Sequence, residues 1–266
     1  MIKGIKDAQF IEDFLMLHCN EVYRQSDLLR LIDWKISLKL NNINQYDTLF
    51  EDHYLQSFRI KICCNELPTC ANLKKRKPDL YDEDWKCNFC KIEEETFDHF
   101  WKCSKIQNVV QDILTRLKSF LVKIIQEYSK DDIDMQELNG KINELGMWDI
   151  RCLYDFTFLM KNQVSCQLIE LLRCYKIIEE KLFYKILKQI TGKVLLKFKV
   201  LIWEPRNELQ IKEEKWCGIS GKDKKAKSHS NRTEVGVKNV GCKMLESNWN
   251  KWNDLAFHRG GHWANF

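Results

Sequence analysis

Apolar residues in this chain recur at steps of three and four, the period of a helix that buries one face. Phe10, Phe14 and Leu17 form a first block, and Leu28, Leu31, Ile32, Ile36 and Leu40 a second that Ser26 or Asp27 is placed to cap. A polar stretch, Asn41 to Asp47, separates these from a helix predicted from Asp52 to Cys64, with Leu55, Phe58 and Ile62 on one face. The strongest stripe runs from Ile106 to Tyr128, with apolar residues at 106, 109, 110, 113, 114, 117, 120, 121, 124, 125 and 128. Residues 129–148 are acidic and polar, contain Gly140 and Gly146, and read as a connection between two helical lobes. The second lobe spans about Trp148 to Trp203, where Leu168, Leu171, Leu172, Tyr175, Ile178 and Leu182 continue through Ile190 as one long helix. Gly192 is placed to end or kink it, and the helix expected from Lys193 to about Trp216 has to tolerate Pro205.

Composition supports a mainly α fold, because 3 prolines and 10 glycines in 266 residues are too few turn formers for a many-stranded sandwich. The expected organisation is an N-terminal helical region (1–65), a cysteine module (66–104), and a long amphipathic helix with its acidic connection (105–147). A C-terminal helical lobe (148–217), a basic flexible linker (218–244) and an aromatic tail (245–266) follow. The tail's Trp249, Trp252, Phe257, Trp263 and Phe266 are candidates to pack back on the helices. The net charge of +5 is concentrated in residues 222–243, where seven bases face two acids. Twelve cysteines would suit a secreted disulfide scaffold, but the first residues form no apolar leader, so reduced thiols and a nuclear or cytoplasmic location are expected. Lysines interrupt even the most hydrophobic region, 182–203, leaving no stretch near the roughly 18 apolar residues of a membrane span, so a soluble chain is expected.

One constellation carries chemistry: Cys87-Asn-Phe-Cys90, eight residues, then His99-Phe-Trp-Lys-Cys103. A CxxC turn aims two thiolates at one ion, and a His and a Cys four apart share a helix face, so the four complete a tetrahedron. Thr96 is placed to cap that helix, with Glu93, Glu94 and Glu95 near its positive end. The set predicts one structural Zn²⁺ in a closed site. Cys63, Cys64, Cys70, Cys152, Cys166 and Cys174 fall mostly among apolar positions and are read as small core residues. Around the ligands Lys86, Lys91 and Lys102 are outnumbered by acids, a field that repels phosphate. Trp85, Phe89, Phe97, Phe100 and Trp101 read as a mini-core ahead of a base-stacking platform. Nucleic-acid contacts, to RNA or DNA, are therefore expected from Lys74, Lys75, Arg76 and Lys77, in what reads as a surface loop, and from Lys222, Lys224, Lys225 and Lys227 in the linker.

Arg59, Leu67-Pro68-Thr69, Asn72-Leu73, Cys87, Cys90, Glu95-Thr96, His99 and Cys103 together resemble the zinc-binding domain that follows the polymerase or RNase H region of non-LTR retrotransposon reverse transcriptases. The resemblance covers about residues 54–105 and implies zinc at Cys87, Cys90, His99 and Cys103, with a supporting part in handling element RNA or target DNA. A degenerate or domesticated remnant falls within this reading. The alternative is a protein–protein interaction module in which zinc fixes the turn and the 106–128 helix meets a partner.

Catalytic motifs are not found. Tyr81-Asp-Glu-Asp84 imitates a polymerase turn without flanking strands. Pro78-Asp79 with Asp84-Trp85-Lys86 imitates a nuclease signature with too few intervening residues for its strands. His258 and His262, with Cys217 and Cys242, are too scattered for a second zinc site. No enzyme activity is expected.

Overall fold

Three- and four-residue spacing builds helices throughout the described part of the chain, and no strand occurs among the described residues beyond one isolated bridge between Ile32 and Ser165. The computed structural model describes residues 12–17, 20–24, 27–41, 50–129 and 132–225, all within the unit Met1–Ala226. The second unit, Lys227–Phe266, lies outside the described residues, and with it most of the expected basic linker, the aromatic tail, Cys242, His258 and His262. The first helices are α1 (Glu21–Arg24), α2 (Leu28–Leu31), α3 (Trp34–Asn41), α4 (Phe50–Cys63), α5 (Cys70–Arg76) and α6 (Phe97–Lys102). They are followed by α7 (Gln107–Tyr128), α8 (Met135–Glu144), α9 (Cys166–Cys174), α10 (Glu180–Phe198), α11 (Glu204–Trp216) and α12 (Gly221–Lys225). The protein is mainly α.

The stripe on α7 buries Val110, Ile113, Leu114, Leu117, Leu121, Ile124 and Ile125 against its own chain, chiefly α8 and α10. Central α10 also packs on α3, α4 and a 3-10 turn at Phe156–Lys161. One continuous apolar core results, reaching from Tyr23 through Cys87, Phe100 and Cys103 to Trp203.

Four local expectations are corrected. The acidic connection 129–148 contains α8: Asp134 caps it by accepting from the backbone N–H groups of Gln136 and Glu137, while Leu138 and Ile142 turn inward. Two apolar residues and an interior glycine make a weak sequence signal, and packing on α7 supplies what propensity lacks. The long second-lobe helix is two helices, because Lys176 takes a left-handed φ of 58° and the Ile177 N–H returns to the Leu172 carbonyl at 3.1 Å. That reversal buries Ile177 completely and leaves Ile178 73% exposed, so the apolar stripe continues in sequence while the helix does not. Gly192 does not end α10; the helix continues to Phe198, and a π turn at Lys199–Trp203 leads into α11 with Pro205 in its first turn. The wider turn absorbs the missing proline N–H and the ring that would clash with a preceding carbonyl. Of the cysteines read as core residues, Cys70 is buried, Cys63 and Cys64 are half-buried, and Cys152, Cys166 and Cys174 are exposed. Cys166 and Cys174 are eight apart, two turns, and so share the outer face of α9 opposite Leu168 and Leu172.

Phe198 sits fully buried at the junction of the helices, with ring centroids 5.9 Å from Phe58, 5.7 Å from Phe97, 6.1 Å from Phe100 and 5.1 Å from Trp101. Replacing Phe198 with Ala should cost about 3–5 kcal/mol in urea unfolding, whereas Leu196→Ala, on the exposed side of the same helix, should cost less than about 1 kcal/mol. Equal effects would show that the aromatic cluster does not organise the core.

Candidate metal centre

Two local structures bring the four ligands together. In the first, the Cys87 N–H donates to the Glu93 carbonyl at 2.8 Å, the Lys91 N–H donates back to the Cys87 carbonyl at 2.8 Å, and Lys91 closes the turn with φ 58°. The Phe89 N–H also points at Cys87 Sγ, 3.4 Å away. In the second, Thr96 caps α6 as expected, its hydroxyl accepting from the His99 N–H at 3.1 Å. The Cys103 N–H then closes on the His99 carbonyl at 2.7 Å, setting these two ligands one turn apart.

The four ligand atoms lie within 4.8 Å of one another. Cys87 Sγ is 4.0 Å from Cys103 Sγ, and Cys90 Sγ is 3.5 Å from His99 Nε2. Cys87, His99 and Cys103 are buried and Cys90 is half-buried. The Glu93 carboxylate stands 3.1 Å from His99 Nδ1, which turns Nε2 towards the thiols. Burial pushes the Cys87 and Cys103 thiols up. Burial also raises Cys90, but the backbone N–H groups of Glu93 and Ile92 and the His99 ring outweigh it and bring the thiol down to about 7. These residues form a cluster able to hold a metal ion.

Behind the cluster lies a polar network that the sequence did not reveal. Glu95, fully buried, accepts hydrogen bonds from the backbone N–H of Cys70 at 3.1 Å, the N–H of Asn88 at 3.2 Å and Arg206 Nε at 2.9 Å. Arg206 is itself only 1% exposed, so the two charges neutralise each other inside the protein. Desolvation works to raise Glu95, but the Arg206 guanidinium and the N–H donors win and hold its carboxyl below the usual range. Asn88, inside the CxxC turn, donates to Gln210 Oε1 at 2.7 Å, and Gln210 donates to Glu214 at 3.1 Å. Tyr81 donates to the same Glu214 carboxylate at 2.6 Å. The ligand turn is thereby fastened to three successive turns of α11, more than a hundred residues away in sequence.

The basic residues expected to meet nucleic acid are placed differently from the expected loops. Lys74, Lys75 and Arg76 form the last turn of α5 and Lys77 its C-cap, because Thr69 starts a helix by accepting from the Asn72 N–H. Lys74 pairs with Glu83 at 3.2 Å, and Arg76 pairs with Glu66. Lys222, Lys224 and Lys225 lie on α12, where Lys224 pairs with Glu214; Lys227 is outside the described residues. Tyr81 is buried, whereas Asp79, Asp82, Glu83 and Asp84 are exposed with no strand beneath them. No described helix is long and apolar enough to cross a membrane. Comparisons with protein-family models, curated proteins and solved structures find no match.

Arg206→Met should destabilise the protein by about 3–5 kcal/mol, because it strands a buried carboxylate. Glu95 has a depressed carboxyl pKa, so its charge contributes stability above the unfolded value of 4.5, and that contribution is lost as pH falls below it. In urea unfolding the stability gap between wild type and Glu95→Gln should narrow as pH drops from about 6 to about 3. A gap that stays constant or widens would contradict a charged Glu95.

Proposed function

We propose that the chain is a non-catalytic, zinc-stapled domain that associates with nucleic acid, of the kind that follows reverse transcriptase in non-LTR retrotransposon polyproteins. The observation that carries the zinc reading is the spacing of the donor atoms. A tetrahedral Zn²⁺ with Zn–S about 2.3 Å and Zn–N about 2.0–2.1 Å needs S···S edges of about 3.8 Å and S···N edges of about 3.6 Å. Of the six edges, Cys87–Cys103 is 4.0 Å and Cys90–His99 is 3.5 Å, and all lie within 4.8 Å. Three sulfurs and one imidazole without a carboxylate suit Zn²⁺ and exclude the oxygen-seeking Ca²⁺ and Mg²⁺. Cys87, Cys90, His99 and Cys103 would hold the ion, Glu93 would orient His99, and no position remains for a substrate.

The other residues of the resemblance have supporting roles. Thr69 caps α5, and Asn72 Nδ2 donates to the carbonyls of Asn65 at 2.7 Å and Leu67 at 2.8 Å, closing the loop before the helix. Glu95 braces the CxxC turn, Thr96 caps α6, and Arg59 hydrogen-bonds the left-handed turn residue Asn162. Apart from Arg59, whose partner Asn162 lies in the C-terminal lobe, these residues serve one module, which supports the retrotransposon-type reading. Weighing against the protein-interaction alternative, most of the apolar stripe of α7 faces the protein's own core, with Val109, Phe120 and Tyr128 half-buried at its margins.

Native mass spectrometry of the full chain, purified reduced and without chelator, should show one Zn²⁺ per chain. His99→Ala should lose it, and Glu93→Gln should retain it with about 10–100-fold weaker affinity. A metal-free wild type would overturn the zinc reading. Fluorescence anisotropy with a labelled single-stranded oligonucleotide should show binding that weakens steeply from low to physiological salt, and no binding even at low salt would overturn the nucleic-acid reading.

A further inference from the structure

A second set of lysines lies along α10, beside clefts that no residue of the cysteine module lines. Along α10, Phe183, Ile186, Leu187, Ile190 and Val194 face the core, while Lys181, Lys185 and Lys188 are exposed and Lys193 and Lys197 half-buried on the outer side. Two clefts flank this outer side and share Lys188 and Gln189. The first, about 760 Å³ between α7 and α10, carries Lys123, Lys188, Lys193 and Lys197 against one acid, Glu127. The second, about 770 Å³, carries Lys39, Lys181, Lys185 and Lys188 against Glu180, which pairs with Lys39 at 2.7 Å.

Aromatic rings stand beside these charges. Lys193 Nζ lies 4.0 Å above the Phe120 ring and Lys39 Nζ 5.2 Å from the Tyr184 ring. Both rings are half-buried, as is Tyr128 at the end of the first cleft, so each keeps part of its surface open. Gly192 lies in the first cleft, and a Cβ built there meets no atom within 4 Å. A mid-helix glycine costs about 1 kcal/mol relative to alanine, and here it lets a ligand approach the helix backbone.

We propose that the joined clefts along α10 are the binding track for a single strand of RNA or DNA, with lysines on the phosphates and Phe120, Tyr128 and Tyr184 beside the bases. This rests on the nucleic-acid reading above and moves its contact surface away from Lys74–Lys77 and Lys222–Lys227. Residues 181 to 197 rise about 24 Å along the helix, room for about seven stacked nucleotides at 3.4 Å each. Rows of cations with interleaved aromatic rings are what a single strand needs, because bases supply flat faces that an acidic peptide lacks.

The test is anisotropy titration of the zinc-loaded full chain with labelled oligo-dT and oligo-U over a range of salt concentrations. Reversing three exposed charges, Lys123→Glu, Lys185→Glu and Lys188→Glu, should weaken binding about tenfold or more at low salt and lower the salt slope by about 2. Gly192→Leu, which fills the cleft and removes a helix-weakening glycine, should weaken binding without changing the slope. Reversal of Lys222 and Lys225 on α12 should change affinity less than about twofold. If the wild type binds and the triple reversal and Gly192→Leu bind equally well, the track is wrong while the nucleic-acid reading stands. If the wild type fails to bind at low salt, that reading fails and the track with it. If polyglutamate binds as tightly as the oligonucleotides, the occupant is an acidic peptide and the proposal is overturned.

Discussion

A carboxylate and a guanidinium, neither reached by water, determine how the metal-ligand turn meets the helical body. Glu95 cannot sit in the interior alone; it needs Arg206, and Arg206 comes from α11. The same carboxylate takes the N–H groups of Asn88 and Cys70, so one charged pair fixes the CxxC turn, the start of α5 and the middle of α11 together. Such a pair adds little net stability over a well-packed apolar substitute, but it tolerates few alternative arrangements. Its effect is specificity of position: the two thiols of the turn stay where the His99 and Cys103 helix can meet them.

The Cys/His cluster is therefore part of the main core and not an appendage to it. Phe100 and Trp101, between two ligands on α6, pack on Phe198 at the end of α10, and Cys87 and Cys103 belong to the same continuous apolar cluster. Burial of thiols raises the cost of ionising them, and a divalent cation at their centre offsets that cost. Structural zinc and the helical core would thus stabilise each other, the ion supplying what a turn and a six-residue helix cannot hold alone. The outer face of α10 is left free of this task and open to solvent with its lysines.

Local chemistry was legible in the sequence wherever one short window contained the cause. The stripe of α7, the Thr96 cap and the convergence of Cys87, Cys90, His99 and Cys103 all follow from spacings of fewer than about two dozen residues. What was hidden depends on partners far along the chain. Glu95 reads as one of three surface glutamates near a helix N-terminus, and nothing near it names Arg206, 111 residues later. The stripe through Ile178 hid the turn at Lys176, because the buried residue is its neighbour Ile177 and both are isoleucine. The helix α8 was hidden by its polar composition, and the end of α5 by a run of charges that also reads as a loop. Charge runs hid pairing in a similar way: Lys74, Arg76 and Lys224 each have an acidic partner that the sequence run does not reveal.

The central claim is that Cys87, Cys90, His99 and Cys103 hold one tetrahedral zinc ion. Zinc K-edge X-ray absorption on the full chain tests it most directly, because the technique reads the ligand shell itself. The account predicts three sulfur scatterers at about 2.3 Å and one imidazole nitrogen at about 2.0 Å. A shell of oxygen and nitrogen alone, or one with fewer than three sulfurs, would contradict it.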